Sequence, residues 1–398
     1  MENWEVKKLG DSDLCEMIMG QSPSSNTYND KEGTPFLQGK TEFEYIYPKP
    51  VKYTTGPIKI AEKNDILISV RAPVGDVNIA PYKLCIGRGL SAIRFVKNDF
   101  KFYFYWFQFK KDFIENLGMG STFKAINADQ LRKLEVPYPP IQEQKAIAEI
   151  LSTVDDAIQK SDEAIMRTER LKREMMDRLL TKGIGHKNFK ETKIGRIPDK
   201  WKVDKVEDIF EIITGTTPST REAKYWNNGD KLWITPTDLS KLKNEKYVFD
   251  SERKITSYAL KNVRLKELPL EAIILSTRAP VGYVAIIKKE ASFNQGCKAL
   301  IAKDQSIFPE LYYYYFVKNR KYLESISGGS TFKELSKDSL RNLEIPIPSI
   351  NEQKEIAEIL QNFDLKLKSE FQRKQKFINI KKSLMNDLLT GKKRVKIN

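Results

Sequence analysis

Residues 120–151 read GSTFKAINADQLRKLEVPYPPIQEQKAIAEIL, and residues 329–360 read GSTFKELSKDSLRNLEIPIPSINEQKEIAEIL. At this offset of 209, 21 of the 32 positions are identical. Matches continue on both sides. Trp4-Glu-Val-Lys-Lys-Leu answers Trp201-Lys-Val-Asp-Lys-Val, and Gly20-Gln-Ser-Pro23 answers Gly215-Thr-Thr-Pro218. Arg71-Ala-Pro-Val-Gly75 answers Arg278-Ala-Pro-Val-Gly282, and Met176-Asp-Arg-Leu-Leu-Thr181 answers Met385-Asn-Asp-Leu-Leu-Thr390. A unit of roughly 200 residues is therefore written twice. Residues 24–64 and 219–270 share little beyond an aromatic-led strand, Phe36-Leu37 and Trp233-Ile234. One structural frame carries two different inserted surfaces.

Composition narrows the function. At 398 residues, with 40% hydrophobic and 11% aromatic residues, the chain has material for two or more cores. The 30% charged residues, and the lack of 18 consecutive uncharged apolar positions, argue against a membrane span. No apolar block of a signal peptide follows Met1. Cys15, Cys85 and Cys297 are far apart, which excludes a disulfide scaffold and a cysteine zinc site of usual spacing. The single histidine, His186, argues against histidine metal chemistry or a Ser/His triad and reads as an exposed linker residue. A cytoplasmic location is the simplest expectation. The net charge of +15, spread over the chain and weighted to the second half, points to a polyanionic partner.

Each repeat divides into a mixed head and a long helix. Asp65-Ile-Leu-Ile-Ser-Val and Ala272-Ile-Ile-Leu-Ser-Thr read as buried strands ending in Ala-Pro turns. Phe102 to Leu117 and Leu311 to Ser325 read as helices. Their aromatic runs, Phe102–Phe107 and Tyr312–Phe316, are too tightly clustered for base stacking and read as core. After Pro137, Pro139 and Pro140, Glu143 favours a helix start. Ile147, Leu151, Val154 and Ile158 then follow a 4-3-4 spacing, as do Ile356, Leu360, Phe363 and Leu367. The seams shift phase to Leu171, Met175 and Leu179 in one copy and to Ile380, Leu384 and Leu388 in the other. Gly183 and Gly391 end the helices. If the helices pair while both heads dock alike, they lie antiparallel.

These residues resemble the DNA specificity subunit of a type I restriction–modification enzyme over essentially the whole chain. The carriers are the duplicated head-plus-helix order, RAPVG twice, GSTFK twice, and the P-x-P…EQK-x-IAEIL helix start twice. The resemblance implies an α+β architecture with a pseudo-twofold internal repeat: two tandem α/β target recognition domains separated by two long antiparallel coiled-coil helices. The expected division is 1–142 for the first recognition domain, 143–185 for the first spacer helix, 186–350 for the second domain, and 351–398 for the second helix and a basic tail. It further implies recognition of a bipartite, asymmetric double-stranded DNA target, and assembly with two methyltransferase subunits and with restriction/translocase subunits. The chain itself would be non-catalytic, with S-adenosylmethionine, ATP and Mg only on partner subunits and no metal of its own.

Candidate DNA contacts follow from paired placement. The turns at Gln21, Ser22 and Ser24, and at Thr216, Thr217, Ser219 and Thr220, carry amide and hydroxyl groups suited to phosphates or base edges, though such residues also fill plain turns. Arg71 and Arg278, after a strand and before a rigid turn, suit either a phosphate or an internal salt bridge. Arg88 and Gln295 are unlike residues at one aligned position and suit guanine and adenine respectively. Ser121, Thr122 and Lys124, with Ser330, Thr331 and Lys333, read as a backbone-binding loop or a cap on the head, and Lys40 and Lys298 complete the set. Three motifs are dismissed as catalytic. Gly33 to Lys40 has five residues between its glycines rather than four, and Asp199 with Glu222 lacks a metal-nuclease context. Val136-Pro-Tyr-Pro-Pro140 leads with an apolar residue, unlike the amino-methyltransferase motif. A stand-alone DNA-binding regulator and a scaffold without DNA specificity are the competing classes.

Overall fold

The computed structural model describes residues 4–118, 125–242, 245–329 and 333–395. Two compact units account for the chain: Met1–Glu163 with Phe371–Asn398, and Ala164–Glu370. Each unit holds one head, the first half of the helix that follows that head, and the second half of the other long helix.

The shared frame is a four-strand order common to both heads. In the first head the strands Glu16–Met19, Leu90–Arg94, Ile66–Ser69 and Val77–Ile79 lie side by side in that order, all antiparallel. In the second, Phe210–Thr214, Cys297–Ala302, Ile273–Ser276 and Val284–Ile287 repeat it, and Tyr247–Val248 is added at the edge. The central strands Ile66–Ser69 and Ile273–Ser276 are buried at every residue, which explains their unbroken Ile/Leu runs. The inserted segments build different second sheets. Thr34–Leu37 runs parallel to Leu84–Ile86 within five strands, whereas Lys231–Ile234 runs parallel to Ala291–Phe293 within three.

Each predicted aromatic helix is two helices. Phe100–Phe109 is followed by Lys111–Leu117, and Pro309–Lys318 by Arg320–Ser325. The chain bends at Lys110 and Asn319, which turns Ile114 and Leu323 back into the core. Phe102 to Phe107 are all buried, as are Tyr312, Tyr314 and Phe316.

The long helices span Ile141–Lys182 and Ile350–Leu388, 42 and 39 residues, or roughly 60 Å each. Gly183 and Gly391 follow them with φ of +62° and +70°. The letters matched between the two helix starts now acquire tasks. Glu143 accepts from Trp4 Nε1 at 3.1 Å and pairs with Arg394 at 2.6 Å. Glu352 accepts from Trp201 Nε1 at 2.9 Å and meets His186 at 2.9 Å. Gln144 bonds the Pro139 carbonyl and the Asp99 amide, and Gln353 bonds the Pro348 carbonyl and the Phe308 amide. The EQK string is a clasp between helix and head. His186 is accordingly not an exposed linker residue: its side chain is 15% exposed, held between Glu352 and the edge of Trp201.

Within each unit the helix segments run antiparallel. In the first, Asp155 pairs with Lys381 at 2.7 Å and Asp162 with Lys374 at 2.5 Å, one number rising as the other falls. In the second, Lys172 pairs with Asp364 at 2.5 Å. The core of the first head includes Ile147 and Leu151 together with Met385, Leu388 and Leu389. That of the second includes Ile356 and Leu360 together with Leu179 and Leu180.

The seam departs from the spacing. Ile147, Leu151, Ile158, Ile356, Leu360 and Leu367 are buried as expected, but Val154 and Phe363 are only half-buried. Asp155 takes the buried slot beside Val154, at 1% exposure. Leu171 and Ile380 are exposed, because the next residues, Lys172 and Lys381, turn inward to the two aspartates. The Tyr105 hydroxyl donates to Asp155 at 2.8 Å and the Tyr314 hydroxyl to Asp364 at 2.6 Å. Burial and the neighbouring carboxylate push both phenols well above their ordinary range, so both act as donors.

Candidate nucleic-acid interface

Three loops converge at one edge of each head. In the first, Gly20 and Gln21 donate their amides to Leu90 and Ile86 at 2.9 and 3.0 Å. Gly87 donates to Leu37 at 2.7 Å, and Gly89 to Gln38 at 3.2 Å. The Arg88 amide reaches Ser22 Oγ at 3.3 Å. A Cβ on Gly20 would lie 2.2 Å from the Gly87 carbonyl oxygen, so only glycine allows the loops to touch there. In the second head, Thr216 donates to Phe293 at 3.0 Å and Asn294 to Ile234 at 2.8 Å. A Cβ on Gly215 would likewise lie 2.2 Å from the Asn294 oxygen.

The RAPVG turns join this edge. Val70 donates to Gly89, and Arg278 to Gly296. Ser69 Oγ donates to the Pro73 carbonyl at 2.8 Å, and Ser276 Oγ to the Pro280 carbonyl at 2.7 Å, closing the two turns alike. Both Ala-Pro bonds are cis. Arg71 bridges to Ala125, and Arg278 to Glu334, the residue that follows GSTFK in each repeat.

Most of the expected residues meet here. Gln21, Ser24, Arg71 and Arg88 are exposed and Ser22 is half-buried. Thr216, Ser219, Thr220, Arg278, Gln295 and Lys333 are exposed, and Thr217 is half-buried, its hydroxyl oxygen without a partner among the described residues. Ser121, Thr122, Lys124, Ser330 and Thr331 lie outside the described residues. Two of the expected lysines are drawn into the head. Lys40 binds Asp76, which Lys111 also holds at 2.5 Å. Burial raises the Asp76 carboxyl, but the two lysines outweigh it and hold it below the usual carboxylate range. Lys298 sits between two neighbouring strands in the sheet and is 5% exposed, and burial draws its ammonium below the usual lysine range. Sequence reasoning missed Gln38, an exposed residue whose carbonyl closes the cluster. Its signal was adjacency to the matched Phe36-Leu37 strand.

The two arginines are not equivalent. Arg278 Nε lies 3.0 Å from Glu334, whereas the position matching Glu334 in the first head is Ala125. Arg71 is exposed with no carboxylate partner among the described residues. If both heads bind DNA, Arg71→Ala should weaken binding and flatten the salt dependence by about 0.9 in log–log slope, the value of one phosphate. Arg278→Ala should change it less, and Glu334→Ala should steepen it. DNA retention titrated against salt checks the order, and equal effects from the two arginines would contradict it.

The family model for the type I restriction–modification DNA specificity domain matches residues 1–165 and 198–377, so the chain belongs to that family. A putative type I restriction enzyme specificity subunit, MjaX, of Methanocaldococcus jannaschii is 52% identical over 183 residues, 45% of this chain. The match spans 43% of that relative's own length. The MjaVIII specificity subunit of the same organism is 28% identical over 99% of this chain and 94% of its own. The solved S subunit of a type I system from M. genitalium has the same fold, with a TM-score of 0.62 at 16% identity, covering 100% of this chain and 97% of that one. Among the described residues no helix is long and apolar enough to cross a membrane.

Proposed function

We propose that the chain reads a split, asymmetric double-stranded DNA target, one half-site per head, as the specificity subunit of a type I restriction–modification complex. The observation that carries this reading is the pair of loop clusters: one shared backbone frame presents Gln21, Ser22 and Arg88 in one head and Thr216, Thr217 and Gln295 in the other. Matched frames with unlike side chains suit related docking on unlike bases. The net charge of +15 supplies sequence-independent attraction to phosphate. In this reading residues 1–142 and 186–350 are the recognition domains, and residues 143–185 and 351–398 hold two methyltransferase subunits, to which restriction subunits add. Methyl transfer and DNA cleavage, with S-adenosylmethionine, ATP and Mg, belong to those partners. The complex acts on cytoplasmic DNA.

The test exchanges residues 1–140 for the first head of another family member and maps methylated adenines in a host supplying the partner subunits. One half of the target should change and the other remain. Changes in both halves, or methyl transfer by the rigorously purified chain alone, would contradict the proposal.

A further inference from the structure

The loops Gln21–Ser24 and Thr216–Thr220 are irregular and rich in small polar residues, so no strand ladder fixes their shape. Something else must, if they are to discriminate between bases. In the second head that role falls to two indoles, Trp226 of the inserted segment and Trp233 of the matched strand. Trp226 Nε1 donates to the Ser219 carbonyl at 3.0 Å, and Trp233 Nε1 donates to the Thr216 carbonyl at 3.1 Å. The indoles pack edge to face, centroids 5.0 Å apart. The Arg253 guanidinium lies 3.8 Å from the Trp226 ring centroid and 5.1 Å from that of Trp233, a cation–π clamp on the pair. Trp233 is 2% exposed, so its N–H needs an internal acceptor and the loop supplies it.

The first head reaches the same result with different atoms. The Tyr28 hydroxyl donates to the Pro23 carbonyl at 3.0 Å, and its ring packs at 4.9 Å on Phe36, which stands where Trp233 stands on the matched strand. Tyr28 and Trp226 both come from the segments that differ between the repeats.

Resting on the reading of these loops as base-reading surfaces, we infer that Trp226 with Trp233 in the second head, and Tyr28 in the first, are positioning residues that set the shape of the adjacent reading loop and so tune the sequence preference of that head alone. They touch no base. Each fixes one loop carbonyl, and Trp226 and Tyr28 come from the segments that differ, so a change of insert changes loop shape on an unchanged frame. This gives a physical route by which specificity diverges while the sheet, turn and helix residues stay matched.

The experiment selects bound sequences from a randomised duplex library with the full-length chain, unmodified and carrying Trp226→Phe or Tyr28→Phe. Each variant removes a donor and keeps a ring. Trp226→Phe should reduce discrimination among second half-site bases by about three- to tenfold, the worth of a typical hydrogen bond. First half-site discrimination and salt slope should stay unchanged, and the thermal midpoint should fall by no more than one hydrogen bond is worth. Tyr28→Phe should produce the mirror result. Loss spread over both half-sites, or no loss in either variant, overturns the inference. If Trp226→Phe lowers the thermal midpoint by more than one hydrogen bond is worth, Tyr28→Phe decides alone, since it deletes one oxygen from a half-buried ring. An unmodified chain that selects no sequence overturns the underlying DNA reading, and this inference with it.

Discussion

Replacing Lys381 with methionine is expected to cost about 3–5 kcal/mol of folding stability, because it strands a buried carboxylate. Asp155 is 1% exposed and the Lys381 side chain 13%, so water cannot replace the lost ammonium. The hydroxyls of Tyr45 and Tyr105 remain as donors at 2.6 and 2.8 Å, but neither carries charge. The combination Lys381→Met, Asp155→Leu and Tyr105→Phe should recover most of the loss. It removes both ions and the buried Tyr105 hydroxyl, while Tyr45, 49% exposed, turns its hydroxyl to water. Denaturant unfolding of the single and combined variants gives the comparison. A combined variant no more stable than Lys381→Met would show that the pair is uncoupled. Lys172→Met, stranding Asp364, should cost less in the second unit, because that carboxylate side chain is 21% exposed and water can reach it.

The second large effect concerns the gap between half-sites. Lys172 faces Asp364 across the antiparallel pair, so a matched insertion falls after Arg167 on one helix and after Lys368 on the other. Seven residues at each place keep the heptad phase and lengthen each helix by ~10.5 Å at 1.5 Å per residue. DNA rises ~3.4 Å per base pair. If the helices set the spacing, the preferred gap should grow by about three base pairs while both half-sites stay the same. Overall activity should fall, because three base pairs also rotate one half-site about the duplex axis. An insertion in one helix alone should cost stability, since its partner becomes too short. Methylation of a substrate library with variable gaps reads the outcome. An active double-insertion variant with the old gap would remove the helices from that role.

The duplicated letters revealed the architecture because apolar periodicity and turn chemistry are local. The buried strands before Ala-Pro, the two long helices and their glycine ends all follow from short windows of sequence. What escaped was polar and long-range. A heptad reading puts Val154 and Leu171 in the seam, since it weighs hydrophobicity alone. Asp155 and Lys172 displace them because each finds its counter-ion more than 190 residues away. A signal existed: Asp155 and Asp364, and Lys172 and Lys381, match at the same offset of 209. At the candidate interface, Arg71, Arg88, Gln21 and Ser22 were legible from paired placement. Lys298 was not, because its burial depends on what packs over its face of the sheet, which no local window of sequence shows. Nor were Trp226 and Tyr28, whose role depends on which carbonyl lies within 3.0 Å.

The aspartate–lysine pairs have a consequence for how such a chain can arise. Each long helix carries both partners, Asp155 with Lys172 on one and Asp364 with Lys381 on the other. An antiparallel contact built from these positions is isologous: a single repeat presents a surface complementary to its own copy. Two identical repeats carry the residues for the same two pairs before any covalent join, and fusion in one chain leaves those pairs unaltered. Fusion then lifts the requirement that both copies be the same. The aspartate–lysine contacts stay paired while each insert, freed from its twin, changes independently.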